Sequence, residues 1–349
     1  MSLELLNWSL ALIPVLAMLT AFVWLDTFKL MTLWETVGLL LLGGLAAGAV
    51  YPIAGGVIDQ LPLGFSFYSR TIAPWVEESV KGAVIVGLFA FNRIGFKLDA
   101  VISGFAVGAG FSVVENILYL IRFPELAPSV WMVRGLGTAL MHGTTLALMA
   151  AIAHEFAEKA TRGSAGAWRL NLLWFVPGLL AAGALHMLFN QFPDRPLEVM
   201  IATLAIAPFV IMGIFKFGAH EAGDWLEEEQ AGHRAQLAEL AQGRFPADAA
   251  CRRLAALAER SGPKAGDALR EYLRAKLELV LIAETTLARQ AGDEQRVKAD
   301  AAAAFAEAEQ ARHALGPALA AAADPLLPLS RNDQWEVSEL KERLKSRTR

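Results

Sequence analysis

The amino-acid sequence predicts an all-α fold: a polytopic membrane helix bundle of about seven spans, followed by a soluble helical region. Hydrophobic residues make up 55% of the 349 residues and charged residues only 19%, whereas soluble domains average about 25% charged residues. Long apolar windows follow one another as far as Phe217, and beyond His220 the composition changes to Ala, Glu, Gln and Arg.

The apolar windows define the predicted spans, because a helix of about 20 apolar residues crosses the hydrocarbon core of a bilayer. The seven windows run from Leu5 to Leu25, Leu33 to Ile58, Ile72 to Phe91, Ala100 to Ile121, Val130 to Phe156, Leu170 to Phe192 and Val199 to Phe217. Gly44 with Gly48, and Gly104 with Gly108, have the small-xxx-small spacing that brings membrane helices close together. These glycines are therefore interpreted as packing positions.

Basic residues in the short loops predict the orientation. One side of the predicted bundle carries Lys29, Arg93, Lys97, Lys159, Arg162, Arg169 and Lys216, and the other carries Arg70, Arg122, Arg134 and Arg195. Because the more basic side stays in the cytoplasm, we expect an integral protein of a bacterial plasma membrane, with its N-terminus outside and its C-terminal region inside. The chain has no basic patch interleaved with aromatic residues, so its expected surroundings are the lipid bilayer and not nucleic acid.

Three parts are expected along the chain: a transmembrane core over 1–219, an Ala-rich helical region over 220–321, and a linker with a short charged helix over 322–349. In the second part, Gly and Pro pairs mark helix boundaries: Gly262 with Pro263, and Gly316 with Pro317, around a helical pattern from Asp267 to Gln290. The histidines of this region are interpreted as solvated; they are His220, His233 and His313. No catalytic constellation is recognised there, and its role stays open.

Ionisable residues inside the predicted spans are the main functional signal. They are Glu77, Glu78 and Lys81 in the third window, Glu115 in the fourth, His142 in the fifth, and His186 with Asn190 in the sixth. An ionised side chain near the bilayer centre costs about 2.5–3.5 kcal/mol on insertion scales, so such residues face each other or a polar cavity. Successive spans run in opposite directions, which places all of these residues at a similar depth. The sequence therefore predicts one polar site, near the outer face.

These residue types suit peptide-bond hydrolysis in two ways. Glu77 or Glu78 can act as a general base on water, while the imidazoles and the Asn190 amide hydrogen-bond an oxyanion. Alternatively, three side chains can bind zinc and leave a position open for water: Glu115, His142 and His186. Lys81 lies three and four residues after the two glutamates and can pair with either.

Two further residues support this predicted site. Phe111 shares a helix face with Glu115, and Asn116 either orients Glu115 or bonds to a neighbouring helix. GxSxG, HExxH, P-loop and paired CxxC motifs do not occur in the sequence. The serine hydrolase, zincin and nucleotide-driven pump classes therefore lack their sequence signals.

The motifs resemble those of a known family. The run WVEESVK resembles the EExxK motif of the PrsW family of intramembrane proteases, and FSVVEN resembles its FxxxE motif at Phe111 and Glu115. RGLGTALMH, ending at His142, and ALHMLFN, with His186 and Asn190, resemble the third and last motifs. The related CAAX prenyl protease and bacteriocin-processing superfamily typically has Arg and His where this chain has Lys81 and Glu115.

The resemblance implies cleavage of a peptide bond in or near the membrane, in a membrane-anchored protein such as an anti-sigma factor. It leaves open whether the chemistry uses a metal or a glutamate-activated water. Two alternatives from other classes stay open as well. One is a proton-coupled transporter that uses the same acids as a relay, and the other is a non-catalytic scaffold that binds a membrane segment.

Overall fold

The computed structural model describes residues 2–24, 32–60, 64–161, 169–248, 251–288 and 294–346. Every regular element in these ranges is helical, so the predicted fold class is confirmed for them. Several predicted features lie outside the described residues: Leu25, Lys29, Arg162, Gln290, and the side chains of Lys216 and His220. The chain divides into two compact units, one of Met1–Ala157 with Leu170–Ala219 and one of Glu158–Arg169 with His220–Arg349.

The first unit is built from long apolar helices. They are α1 (Leu3–Trp24), α2 (Leu33–Gln60), α3 (Phe65–Phe67), α4 (Ala73–Ala90), α5 (Lys97–Arg122), α6 (Pro128–Val133), α7 (Ala139–Thr161), α8 (Val176–Asn190) and the first part of α9 (Pro196–Ala241). Short π-helical turns, Tyr68–Ile72 and Arg134–Thr138, precede α4 and α7, and a 3₁₀ turn, Leu172–Trp174, precedes α8.

Six helical stretches of the described residues are long and apolar enough to cross a membrane. They are Leu3–Ala21, Leu33–Gly56, Lys97–Arg122, Pro128–Ala160, Leu172–Asn190 and Pro196–Gly213. The remaining predicted span, Ile72 to Phe91, forms α4, which has 18 residues. This helix differs from the other six because it carries Glu77, Glu78 and Lys81 close together.

Helix α5 forms the core of the first unit and is buried almost without interruption from Leu98 to Ser112. Glycines let its backbone approach neighbouring helices. A Cβ atom on Gly110 would lie 2.0 Å from the Leu40 carbonyl oxygen, and one on Gly108 would lie 2.3 Å from the His142 carbonyl oxygen. The Gly108 contact holds the backbone of a predicted site residue directly against α5.

The π-helical turns lie just before two of the helices that carry site residues. Such turns are rare and often occur at functional sites, because the extra residue changes the direction of the side chains that follow. Gly135 and Gly137 are buried in the second π turn. A Cβ on Gly135 would meet the Leu10 carbonyl oxygen at 2.0 Å, so this turn packs closely against α1.

The second unit contains α10 (Arg252–Ser261), α11 (Pro263–Ala288), α12 (Glu294–Leu315), α13 (Pro317–Ala323), a 3₁₀ turn (Asp324–Leu326) and α14 (Arg331–Ser346), with the last part of α9. Gly262 and Gly316 separate consecutive helices with φ angles of 87° and 74°. Because that region of backbone conformation favours glycine, the predicted helix boundaries at these residues are confirmed.

Two expectations for the C-terminal region need correction. His233, predicted to be solvated, is only 6% exposed, and its Nδ1 lies 2.9 Å from Glu284 Oε1. Glu284 is 51 residues away in sequence, so no local spacing reveals the pair. The segment expected as a linker contributes Ala323 and Leu327 to the hydrophobic core. His313 is exposed as predicted.

Candidate active site

One cavity of about 1290 Å³ lies in the first unit, and four of the helices that line it carry predicted site residues. The predicted site residues in its wall are Glu77 on α4, Glu115 and Phe111 on α5, His142 on α7, and His186 with Asn190 on α8. The structure therefore brings together residues that are up to 113 positions apart in sequence. Glu78 and Lys81 lie behind this wall and are completely buried.

Glu78 is the centre of a buried hydrogen-bond network. Its Oε1 accepts hydrogen bonds from Lys81 Nζ at 2.5 Å, His186 Nδ1 at 2.8 Å and Thr145 Oγ1 at 3.3 Å. A buried ion pair persists only when its geometry is good and further hydrogen bonds compensate for the lost water. The network therefore fixes the position of Lys81 and the ring orientation of His186.

The hydrogen bond from His186 to Glu78 determines which ring nitrogen is free. In a neutral imidazole one nitrogen donates and the other accepts. Because Nδ1–H donates to Glu78, Nε2 keeps its lone pair, and it lies 3.8 Å from Glu77 Oε2. A carboxylate behind a histidine in this way is the arrangement that orients histidine ligands in metal sites.

His142 lies between a base and an acid. Its Nδ1 is 2.9 Å from Lys81 Nζ and its Nε2 is 3.2 Å from Glu115 Oε2. Because an ammonium group can only donate hydrogen bonds, Nδ1 accepts from Lys81. Nε2–H donates to Glu115 when no metal is bound, and a metal would take the place of that proton on Nε2. The ring also meets the edge of the His186 ring, with centroids 4.8 Å apart.

Glu115 is held by a second polar chain that begins at Arg134. Arg134 Nη2 forms an ion pair with Glu115 Oε2 at 2.9 Å, and its Nε donates to Asn116 Oδ1 at 3.1 Å. Asn116 Nδ2 in turn donates to the Ala11 carbonyl at 2.9 Å. Asn116 therefore bonds to a neighbouring helix and acts on Glu115 only through Arg134.

The buried Oε2 atoms of Glu77 and Glu78 both lack a hydrogen-bond partner among the described residues, but only Glu77 lines the cavity. One ligand atom each from Glu77, His142 and His186 lies within 4.8 Å of the others. Two imidazoles and a carboxylate, with a fourth position left to water, are the donor set of many catalytic zinc sites. The unsatisfied oxygen and the free Nε2 of His186 thus fit a divalent cation.

The sequence predicts Glu115 as the third ligand, and the geometry favours Glu77 instead. Both carboxylates lie beside the imidazoles. Glu115 Oε2 is engaged by Arg134 and His142, whereas Glu77 offers an oxygen without a partner among the described residues. The helical phase explains the difference, since Glu77 and Glu78 point about 100° apart and only the first faces the cavity.

Phe111 and Asn190 hold the wall of the cavity. Phe111 is 1% exposed; its ring centroid lies 4.7 Å from Lys81 Nζ and 5.0 Å from the centroid of the His142 ring. Asn190 Nδ2 donates to the Ser69 carbonyl at 3.0 Å, which ties α8 to the π turn before α4. The amide of Asn190 has a second N–H, and this is the donor that its predicted hydrogen bond to an oxyanion would use.

Sequence reasoning missed one contributor to the site and left a second open. Thr145, which was missed, binds Glu78 and lies three residues after His142, a spacing that places both on one helix face. From the sequence, Arg134 could either anchor at the headgroup level or pair with an acid of the cluster, and in the structure it pairs with Glu115. Its position eight residues before His142, two helical turns away, is a signal that could have identified it.

Comparison with known proteins identifies a family. Residues 28–215 match the family described as PrsW family intramembrane metalloprotease. A search of curated proteins and a search of solved structures give no significant match.

Proposed function

The chain belongs to the PrsW family of intramembrane metalloproteases, and from this membership we propose that the cavity is its peptidase site, with Glu77, His142 and His186 as the metal-binding residues. The observation that carries the assignment is the buried Oε2 of Glu77, which lacks a hydrogen-bond partner among the described residues, lines the cavity and lies beside two imidazoles. Membership of a protease family removes the grounds for the transporter and scaffold alternatives.

A divalent cation such as zinc, when bound by these residues, supplies Lewis acidity that polarises a carbonyl group and makes bound water a better nucleophile. The protein prepares the donors for this task. Glu78 receives the Nδ1–H of His186 and so keeps Nε2 available. Lys81 donates to both Glu78 and His142, so Glu78 and Lys81 are positioning residues.

Glu115 is the general base in this proposal. It lines the cavity, and Arg134 holds its Oε2, so Oε1 is assigned to the attacking water. The proton moves from water to Oε1 while the water oxygen attacks the carbonyl carbon. The same proton then moves to the amide nitrogen as the C–N bond breaks. Arg134 and the Asn190 amide are the candidate donors to the developing oxyanion.

The substrate is proposed to be a membrane-anchored protein, with anti-sigma factors as the first class to test. A cavity of about 1290 Å³ exceeds the range of about 300–1,000 Å³ that is usual for small-molecule pockets. Its wall combines the polar cluster with apolar side chains such as Val50, Leu118 and Phe189. A segment of polypeptide with apolar residues suits this lining better than a small polar metabolite.

Cleavage of a co-expressed single-span protein tests the proposal. Glu77→Gln and His186→Ala should abolish cleavage, because each removes one proposed ligand. Glu125→Gln and His313→Ala are matched controls, since both residues are exposed, and they should cleave as the parent chain does. Equal membrane levels of all four variants should be verified by blotting. Undiminished cleavage by both Glu77→Gln and His186→Ala would reject the assignment.

A further inference from the structure

A second cluster of buried ionisable side chains lies in the C-terminal unit, apart from the proposed peptidase site. It joins Glu229 and His233 on α9, Glu284 on α11, and Asp333 and Glu336 on α14. His233 is 6% exposed, and Glu284, Asp333 and Glu336 are each 1% exposed. Within this group carboxylates outnumber the imidazole by four to one.

His233 is oriented by one carboxylate and directed at another. Its Nδ1 lies 2.9 Å from Glu284 Oε1, and its Nε2 lies 3.6 Å from Asp333 Oδ2. Ligand atoms of Glu229, His233 and Asp333 all lie within 4.8 Å of one another. A carboxylate on one ring nitrogen and a set of oxygen donors near the other is the arrangement found around histidine ligands of metal ions.

Unsatisfied oxygens distinguish this cluster from ordinary buried ion pairs. Five carboxylate oxygens have no hydrogen-bond partner among the described residues: Glu229 Oε2, Glu284 Oε2, Asp333 Oδ1 and both oxygens of Glu336. Buried polar atoms are nearly always hydrogen-bonded, so each exception calls for a physical reason. A cation bound among these oxygens would satisfy several of them at once.

Helix capping explains only a small part of the arrangement. The Ser330 N–H donates to Asp333 Oδ2 at 2.6 Å, and the Asp333 N–H donates to Ser330 Oγ at 3.0 Å, which is a capping box at the start of α14. Ser330 Oγ also donates to Glu229 Oε1 at 3.1 Å. These bonds leave Asp333 Oδ1, Glu229 Oε2 and both oxygens of Glu336 unaccounted for.

We propose that Glu229, His233 and Asp333 bind one divalent transition-metal ion, with Glu284 orienting His233 and the Glu336 carboxyl beside the site, and that this ion links α9 to α14. Oxygen-rich donor sets favour hard ions, and a single imidazole shifts the preference toward the first-row transition series. Manganese(II) or iron(II) is thus the expected class. This site is independent of the metal site proposed in the cavity of the first unit.

Manganese binding to the full chain, purified in detergent and stripped with a chelator, tests the proposal. Bound Mn²⁺ is counted by electron paramagnetic resonance and elemental analysis. The double variant Glu229→Gln/Asp333→Asn should bind about one equivalent less than the parent, as expected when a donor set is removed. Glu259→Gln, an exposed acid on α10, is the control and should bind as the parent does.

Glu284→Gln keeps the proposed ligands and should weaken Mn²⁺ binding by about 10–100-fold, the usual effect of removing a carboxylate behind a histidine ligand. His186→Ala separates the two proposed sites, because it should leave this equivalent in place. An equal Mn²⁺ count in the parent and in Glu229→Gln/Asp333→Asn would overturn the proposal. The absence of bound Mn²⁺ in the His186→Ala variant would also overturn it. That result does not depend on how the variants of the second site fold.

Discussion

The two buried polar clusters of this protein differ in the groups that lie beside their buried carboxylates. In the first unit, the carboxylates have protein cations beside them: Lys81 contacts Glu78 at 2.5 Å and Arg134 contacts Glu115 at 2.9 Å. In the C-terminal unit, four carboxylates surround His233. The first cluster is neutralised by its own side chains, and of the two carboxylates that line its cavity, Glu77 and Glu115, only Glu115 is paired with an arginine. The second cluster keeps five carboxylate oxygens without a hydrogen-bond partner among the described residues, which is why a bound cation is proposed there.

The largest expected effect concerns the proton-transfer role of Glu115 in the first cluster. Glu115→Gln keeps the shape of the side chain and removes the base, so the rate of cleavage should fall by about 10²–10⁴-fold. Steady-state cleavage of a purified single-span peptide gives the rate, with Glu125→Gln as the control. A decrease of less than threefold in the cleavage rate would show that Glu115 is not the general base and would favour Glu77 in that role.

Lys81→Met tests whether the Lys81 ammonium group compensates for the buried negative charge of Glu78. It leaves Glu78 buried without its ammonium partner, which should lower the free energy of unfolding by about 3–5 kcal/mol. The double variant Glu78→Gln/Lys81→Met removes both charges and should recover most of that loss. Thermal unfolding in detergent, followed by circular dichroism, measures both. If the double variant is as unstable as Lys81→Met, the pair is not the source of the stability.

Close packing of α5 against α7 should hold the first cluster in place. Because a Cβ on Gly108 would lie 2.3 Å from the His142 carbonyl oxygen, Gly108→Ala should cost about 1–3 kcal/mol of stability and should also reduce cleavage. Gly48→Ala is the matched control, since no atom lies within 4 Å of the added Cβ. Equal stability of the two variants would mean that α5 and α7 can separate at no cost.

The smallest expected effect has the opposite sign and lies in the second cluster. In the presence of a chelator, Glu336→Gln removes a buried carboxyl that has no hydrogen-bond partner among the described residues. The variant should therefore be more stable than the parent by about 1 kcal/mol. With Mn²⁺ present the order should reverse. Calorimetric unfolding with and without Mn²⁺ measures both states, and destabilisation in the chelator would indicate that Glu336 is already satisfied.

The sequence predicts the first cluster well because membrane helices restrict the possible arrangements. Alternation of spans places Glu77, Glu115, His142 and His186 at one depth, and the structure brings all of them to one cavity. Helical spacing also predicts the Glu78–Lys81 contact. The choice between Glu77 and Glu115 as metal ligand needs the fold, because it depends on Arg134 reaching across from the π turn before α7.

The second cluster could not be predicted in the same way. His233 and Asp333 are 100 positions apart, and Glu284 lies on a third helix. Outside the candidate membrane spans the sequence offers no bilayer constraint that places polar residues in the interior, so an isolated histidine among charged residues carries no signal of burial. Asp333 also has a local role in the capping box with Ser330, which gives a sequence reader no reason to look for a further one. Only the packed structure reveals their unsatisfied oxygens.

Chelation and reconstitution of the purified chain test the central claim most directly. The parent, stripped of metal and assayed on a single-span peptide, should lose cleavage and regain it on addition of zinc. Glu77→Gln should lose cleavage and fail to regain it at the same zinc concentration. A stripped parent that cleaves at its original rate, or a Glu77→Gln variant that recovers fully, would contradict the assignment of Glu77, His142 and His186 as the metal-binding residues.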